Sequence, residues 1–562
     1  MDIMTKKRLG DMLLEENKIT TAQLKSSLEK QKFSGKKLGE LLIEEKLVTE
    51  EEILEVLEKQ LGIERINLEL ISISEKMISM LPEAICLKYE LIPFDMVEGK
   101  IKIAIWDPLN IFAIDDVSIA TGLQVETYIT SRSQIKKSIE RYYSSHQVLK
   151  AAEELSKEKH NLKIETDSLN SFSDIKNAPV VKMVDYLIKS AIEDKASDIH
   201  IEPYENIIRI RYRIDGELKE MSTLSIDTLP SITTRIKVLA NLNIAEKRIP
   251  QDGRIVTNIE GQLVDLRVSI LPMITGEKIV IRILDKASYE LTKESLGLSE
   301  EEVKNLNGLA SRPNGIILVT GPTGSGKTTT LYSVLRDINT ENRNIITIED
   351  PVEYTMEGVN QVNVNTRVGL TFANGLRAIL RQDPDVVMIG EIRDNETAEI
   401  AIRAAITGHL VLSTLHTNDA ASSITRLLDM GLEPYLVATA ITGVVAQRLV
   451  RKVCPKCGYS YEADDYEKRL LNLDENEPLK LKRGTGCPYC NGTGYYGRVG
   501  VYEIMEVTSD HRKAIVKSND IELFREMCIK NGMRTLKESC REKVIDGTTT
   551  LDEMMKISYL KE

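Results

Sequence analysis

Residues 316–331 read IILVTGPTGSGKTTTL, and the fold follows from this stretch. The run Ile316 to Thr320 has the composition of a strand buried on both faces. Gly321-x4-Gly326-Lys327-Thr328 comes next and then a helical pattern, which is the Walker A pattern in its strand–loop–helix setting. Gly321, Gly324 and Gly326 let the backbone wrap phosphate oxygens with no Cβ in the way, so amide N–H groups and a helix N-terminus face the anion. Pro322, Thr323, Ser325 and Thr329 complete the nucleotide-binding loop. Lys327 brings positive charge to the β- and γ-phosphates, and the Thr328 hydroxyl is suited to ligate Mg²⁺.

Outward from the loop, short apolar strands alternate with helices from about 291 to 562, the pattern of an α/β domain with a parallel sheet. Three of these strands end in groups that carry chemistry. Asn344 to Ile348 runs into Glu349-Asp350-Pro351-Val352-Glu353, Val386 to Gly390 runs into Glu391, and an apolar strand separates His409 from His416. Parallel sheets bind ligands at strand ends. Glu391, Glu349, Glu353, His409 and His416 are therefore candidate catalytic groups beside Lys327, with Glu349 and Glu391 unranked as general base.

GPTGSGKTTTL, ITIEDPVEY, LRQDPDVVMIGEIRD and TGHLVLSTLHTND, in this order, resemble the secretion ATPases of type II secretion and type IV pilus assembly, where they are the Walker A, Asp box, Walker B and His box. The resemblance covers about 178–562. It implies a RecA-like ATPase domain at 291–562, preceded at 178–290 by an α+β, PAS-like N2 domain, the subunits forming a homo-hexamer that works with an inner-membrane platform protein. Glu391 would then serve the metal and the attacking water, and His409 and His416 would contact the phosphate region. The family brings N2 arginines onto the phosphates. Arg211 and Arg213 fit that role, with Arg209 on the same side and Arg254 a weaker candidate.

Cys454, Cys457, Cys487 and Cys490 form two CxxC knuckles, the ligand set of a closed structural Zn²⁺ site with no position left for catalysis. Cys86, Cys528 and Cys540 are expected to be buried or incidental. No apolar run follows the N-terminal charges and none is long enough for a bilayer, so the chain is expected to be cytoplasmic and to reach the membrane through partners. Its 74 Lys and Arg stand against 86 Asp and Glu, a net charge of −12, which argues against a nucleic-acid motor.

Residues 8–31 and 37–60 repeat one another, with ten of 24 paired positions identical. Leucines four apart predict two short helices per copy, the second opening at Thr20 or Thr49. Helical hairpins that merely pack together are one reading. The tandem motifs with their five-residue spacer also resemble the cyclic di-GMP-binding N-terminal domain of some of these ATPases. That resemblance implies contacts from Arg8, Leu9, Gly10, Leu13, Leu24, Leu28 and Gln31 in the first copy. The second copy would supply Lys37, Leu38, Gly39, Leu42, Leu57 and Gln60, with Lys37 where the motif has Arg. A mainly helical N1 domain is thus expected over 1–145 and a polar linker over 146–177. The function expected is assembly of a type IV pilus, with type II secretion as the alternative. From other classes come a RecA-like nucleic-acid motor, which the net charge counts against, and a regulatory scaffold without turnover.

Overall fold

The computed structural model describes residues 8–34, 36–143, 179–259, 262–284, 292–517 and 520–559. The expected linker, 146–177, lies outside the described residues.

The tandem repeat folds as four helices, Leu9–Glu15, Thr21–Ser34, Leu38–Glu44 and Glu50–Leu61. Thr20 and Thr49 cap the second helix of each copy. Thr20 Oγ1 accepts from Gln23 N at 3.3 Å while Thr20 N donates to Gln23 Oε1 at 2.8 Å, and Thr49 with Glu52 repeats the box at 3.3 and 2.9 Å. Such a cap is worth about 1 kcal/mol. The copies interlock, the first helix of one lying on the second helix of the other. Gly10 makes the approach possible, since a Cβ there would stand 2.8 Å from Leu24 Cδ1 and 3.3 Å from Leu38 Cδ2. Three strands follow, β1 (Leu91–Val97), β2 (Lys100–Ile105) and β3 (Gln124–Ile129), with β1 antiparallel and β3 parallel to β2. One core joins repeat and sheet, so the unit over 8–143 is helical with a small sheet added.

The second unit opens with helix Pro179–Glu193 and builds an antiparallel sheet from β4 (Asp198–Pro203), β5 (Ile207–Ile214), β6 (Glu217–Ser225), β7 (Gln251–Ile259), β8 (Gln262–Met273) and β9 (Gly276–Leu284), in the order β6-β5-β4-β9-β8-β7. Period-2 alternation sorts β5: Ile208, Ile210, Tyr212 and Ile214 are buried, and Tyr212 OH donates to Leu187 O of the covering helix at 2.7 Å. Arg209, Arg211 and Arg213 take the other face.

The third unit has β10 (Gly315–Thr320), β11 (Ile345–Glu349), β12 (Asn360–Asn363), β13 (Val386–Ile389), β14 (Leu410–Leu415), β15 (Ile441–Val453), β16 (Gly458–Glu462), β17 (Lys480–Gly484) and β18 (Tyr495–Glu506). Seven of them form one sheet, β12-β11-β13-β14-β10-β15-β18, parallel except for the antiparallel outer strand β18. Every residue of β10, β11, β13 and β14 is buried, as helices on both faces require. The cysteine segment and the β16–β17 pair fill the gap between β15 and β18.

Candidate active site and metal centre

The loop after β10 turns into helix Lys327–Ile338 with Gly326 at its N-terminus, φ +87°. Gly321 is required where it stands: φ is +147°, and a Cβ would come 2.4 Å from Gln447 O. Lys327 Nζ donates to the loop's own carbonyls, Gly321 O at 2.8 Å and Pro322 O at 3.1 Å. Burial brings its pKa down to about 8, Arg448 adds to the shift and Glu391 opposes it. Arg448 is itself buried and pushed below its usual range, and its Nη2 donates to Asn418 Oδ1 at 2.9 Å. Lys327 where the loop enters its helix and Arg448 on the adjoining strand β15 set two partly desolvated cations beside a helix N-terminus, a site for a polyanion. Thr323 on the loop and Thr328 in the first turn of the helix are exposed, and Ser325 Oγ is buried with no hydrogen-bond partner among the described residues.

The three candidate carboxylates part company. Glu391 follows β13 at the same sheet edge as the loop, with Arg393 Nη2 at 2.6 Å and His416 Nε2 at 3.3 Å. Glu349 is only 3% exposed. Its Oε1 accepts from Thr347 Oγ1 at 2.6 Å and from Gln361 Nε2 at 3.3 Å, and its Oε2 accepts from Tyr332 OH. Burial pushes its pKa up. Glu353 pairs with Arg267 Nη2 at 3.0 Å. Of the three, Glu391 is the carboxylate whose charge reaches Lys327 of the loop.

The histidines part as well. His416 follows β14, but His409 precedes it, and Gly315 N, at the start of β10, donates to His409 O at 3.1 Å. A six-residue strand at about 3.3 Å per residue puts about 20 Å between the two ends. His409 therefore stands at the opposite edge, its Nδ1 2.9 Å from Ala404 O, so the two expected histidines are not brought together and only His416 lies on the loop's side of the sheet.

The N2 arginines are held within their own sheet. Arg211 binds Glu202 through two bonds, 2.8 and 2.9 Å, Arg213 donates to Gly216 O at 2.9 Å, Arg209 meets Glu220 at 3.1 Å, and Arg254 meets Asp265 at 2.9 Å. Arg267, on β8, reaches out of the sheet, donating to Val352 O at 3.0 Å besides pairing with Glu353. Strand register sets Arg213, Asp198, Arg282, Arg267 and Arg254 in one row across five strands. Sequence reading missed Arg267 and Arg448. The alternation of β8 marks Arg267 as pointing away from the core, and Arg448 is a lone charge within the mostly apolar stretch Ile441–Val450 of β15.

The four cysteines converge. Sγ–Sγ distances are 3.9 Å for Cys454 and Cys487, 3.8 Å for Cys457 and Cys490, and 3.7 Å for Cys487 and Cys490. A disulfide needs about 2.05 Å. The edge of a tetrahedron with Zn–S bonds of 2.3 Å is about 3.8 Å, so these thiols fit the metal. Although burial works against ionisation of Cys490, N–H groups of Cys487 and Gly494 at 3.2 Å bring its thiol down to about 7. Cys86, Cys528 and Cys540 are buried, with thiols pushed up to about 12.

In the repeats, Leu13, Leu24, Leu42, Gly10 and Gly39 are buried in the shared core, Leu9, Leu38 and Leu57 half-buried, and Arg8 and Leu28 exposed. Leu38 lies over Gly10 and Leu9 over Gly39, so the copies are related as by a local two-fold. Lys37 Nζ is held by Asp107, and Arg132 Nη2 meets Glu40 at 2.6 Å, which ties the second copy to the three-stranded part. Gln31 donates to Lys36 O at 3.2 Å.

Comparison with known proteins bears on both ends. The family described as type II/IV secretion system protein matches residues 173–556, and the MshEN domain matches 61–149, beginning where the second repeat ends. The type IV pilus assembly ATPase PilB of Myxococcus xanthus is 40% identical over 98% of both chains. The type II secretion system ATPase E of Vibrio cholerae is 49% identical over 68% of this chain and 76% of that protein. The ATPase DotB of Legionella pneumophila, solved by X-ray, matches with a TM-score of 0.51 at 21% identity, covering 70% of this chain and 98% of DotB, which speaks for the fold alone. Among the described residues no helix is long and apolar enough to cross a membrane.

Proposed function

This chain belongs to the type II/IV secretion system protein family, and on that premise we propose that it is a Mg²⁺-dependent ATPase that powers assembly of a type IV pilus. The observation that carries the reading is the shared sheet edge: the Walker A loop after β10, Glu391 after β13 and His416 after β14. Lys327 and Arg448 bind the phosphates, and the loop amides and helix N-terminus orient them. Glu391 Oε2 takes a proton from the attacking water, with His416 beside it. Mg²⁺, held at Thr328 and through Glu391, would neutralise charge on the phosphate oxygens. The pilus role over type II secretion rests on the near-complete coverage by the pilus relative. In this reading the subunits form a homo-hexamer in the cytoplasm, recruited to the membrane by a platform protein, with one structural zinc per chain and no nucleic-acid partner.

Regulation by cyclic di-GMP is part of the same proposal. The ligand is two-fold symmetric and the repeats approximate a two-fold. The contacts of Lys37 and Glu40 with Asp107 and Arg132 join the repeats to the segment that matches the MshEN domain.

Steady-state turnover of Mg-ATP tests the core claim. Wild type should hydrolyse ATP and Lys327→Ala should not, and equal rates in the two would remove the Walker A loop from the mechanism.

A further inference from the structure

The tetracysteine site stands where three parts of the chain meet. Lys456 lies inside the first knuckle, between Cys454 and Cys457, and its Nζ is 2.7 Å from Glu69 Oε2 of the N-terminal unit. The turn Leu68–Leu70, which carries Glu69, packs on the second knuckle at Pro488–Cys490. Arg141, also of the N-terminal unit, donates to Oδ1 of Asn491, the neighbour of Cys490. From the second unit Lys219 Nζ donates to Cys490 O at 3.4 Å. The partners on the ATPase side thus belong to the knuckles themselves, which have little regular structure. An isolated two-stranded pair such as β16–β17 is marginal in water, so the shape of this segment depends on what joins the four thiols.

We propose that the metal in the tetracysteine site is the clasp that docks the N-terminal unit on the ATPase domain. With the site filled, Lys456 and Asn491 are held where Glu69 and Arg141 can reach them; with it empty, both contacts are lost together. A single ion pair at the rim of an interface does little by itself, and its worth here comes from the metal holding its partners in place beforehand. The coupling is reciprocal, so docking must also tighten the metal. The inference rests on the zinc reading and adds that zinc governs where the N-terminal unit sits.

A zero-length carbodiimide reads the contact in the full chain. It activates the Glu69 carboxyl, the Lys456 amine displaces the urea, and an amide forms with the elements of water taken up by the reagent. The 69–456 product is measured by mass spectrometry against two references, Lys18–Glu52 at 3.0 Å and Lys278–Glu202 at 2.9 Å, each inside one unit. Stripping zinc with a chelator and a reductant should lower the 69–456 yield about tenfold or more, and zinc added back should restore it, with the references steady. An undiminished yield in zinc-free protein overturns the proposal. If the references fall too, the decision passes to zinc-loaded Glu69→Lys, which should yield its metal to a chromogenic chelator several times more readily than wild type; equal retention overturns the proposal. Protein isolated without any zinc instead defeats the metal reading, a result separate from the other two.

Discussion

Glu391 and His416 face each other from neighbouring parallel strands, His416 Nε2 3.3 Å from Glu391 Oε2, while Arg393 holds the other carboxylate oxygen at 2.6 Å. The carboxylate is thereby held at the edge of the sheet that carries the Walker A loop, and its charge is felt at Lys327. Glu349, at the end of β11 with β13 and β14 between it and β10, has both carboxylate oxygens taken up by buried donors.

Replacing each glutamate by glutamine should separate these roles. Glu391→Gln is expected to lower kcat by about 10²–10⁴ with unchanged melting, the range for losing a general base. Glu349→Gln leaves a buried amide among hydroxyl donors and should cost about 1–3 kcal/mol of stability, read as a lower melting temperature. The reverse pattern would hand the base to Glu349.

Lys327 should make nucleotide binding pH-dependent. Its folded pKa is depressed from 10.5 to about 8, so the ammonium is disfavoured in the folded chain, in full below about 8, with relief as pH rises towards 10.5. Bound phosphates favour the ammonium again. ADP or ATP binding is therefore expected to take up close to one proton at pH 9 and almost none at pH 6.5, measured by calorimetry in buffers of different ionisation enthalpy. Lys327→Arg should abolish the difference; uptake that ignores pH would contradict the assignment.

Arg267 is expected to carry the message between the second unit and the Asp box. Arg267→Ala removes the contacts with Val352 and Glu353 and should lower turnover about tenfold, the loss of one charge-assisted hydrogen bond, while nucleotide affinity at the Walker A loop is preserved. Unaltered turnover would mean that this contact is only packing.

Arg8 should matter if cyclic di-GMP binds. In the full chain, Arg8→Ala is expected to weaken binding about ten- to a hundredfold, for a charge-assisted bond worth about 1.5–3 kcal/mol. Lys37→Arg should change affinity less, because Asp107 already holds that position. No heat at high micromolar ligand with wild type leaves the repeats as a packing device.

Much of this was legible in the residues, and the exceptions share a cause. The Walker A loop, the two capping threonines and the converging cysteines are local patterns, each set by spacing alone. His409 and His416 look alike in sequence because a strand separates them, and only chain direction shows that the strand carries one of them away from the loop. Arg211 and Arg213 sit on a face that period-2 alternation predicts correctly, yet their partners Glu202 and Asp198 come from strand order, which no short window contains. Arg267 meets Val352, 85 residues away, and the charge of Arg448 bears on Lys327, about 120 residues away; the local pattern shows each side chain's setting but not that distant partner.

β15 ends at Val453 and its antiparallel partner β18 begins at Tyr495, so the outer edge of the sheet can close only after the chain has returned from residues 454–494. Cys454 touches one end of that excursion and Cys490 lies close to the other. A metal bridging them pinches the excursion at its neck, and a loop of about forty residues behaves as one of fewer than ten, which lowers the entropy of closure by about 1–2 kcal/mol. The newly made chain would thus gain its last sheet strand sooner when zinc is at hand, and scarcity of the metal would show first as a slow step in maturation, before any fault in the finished chain.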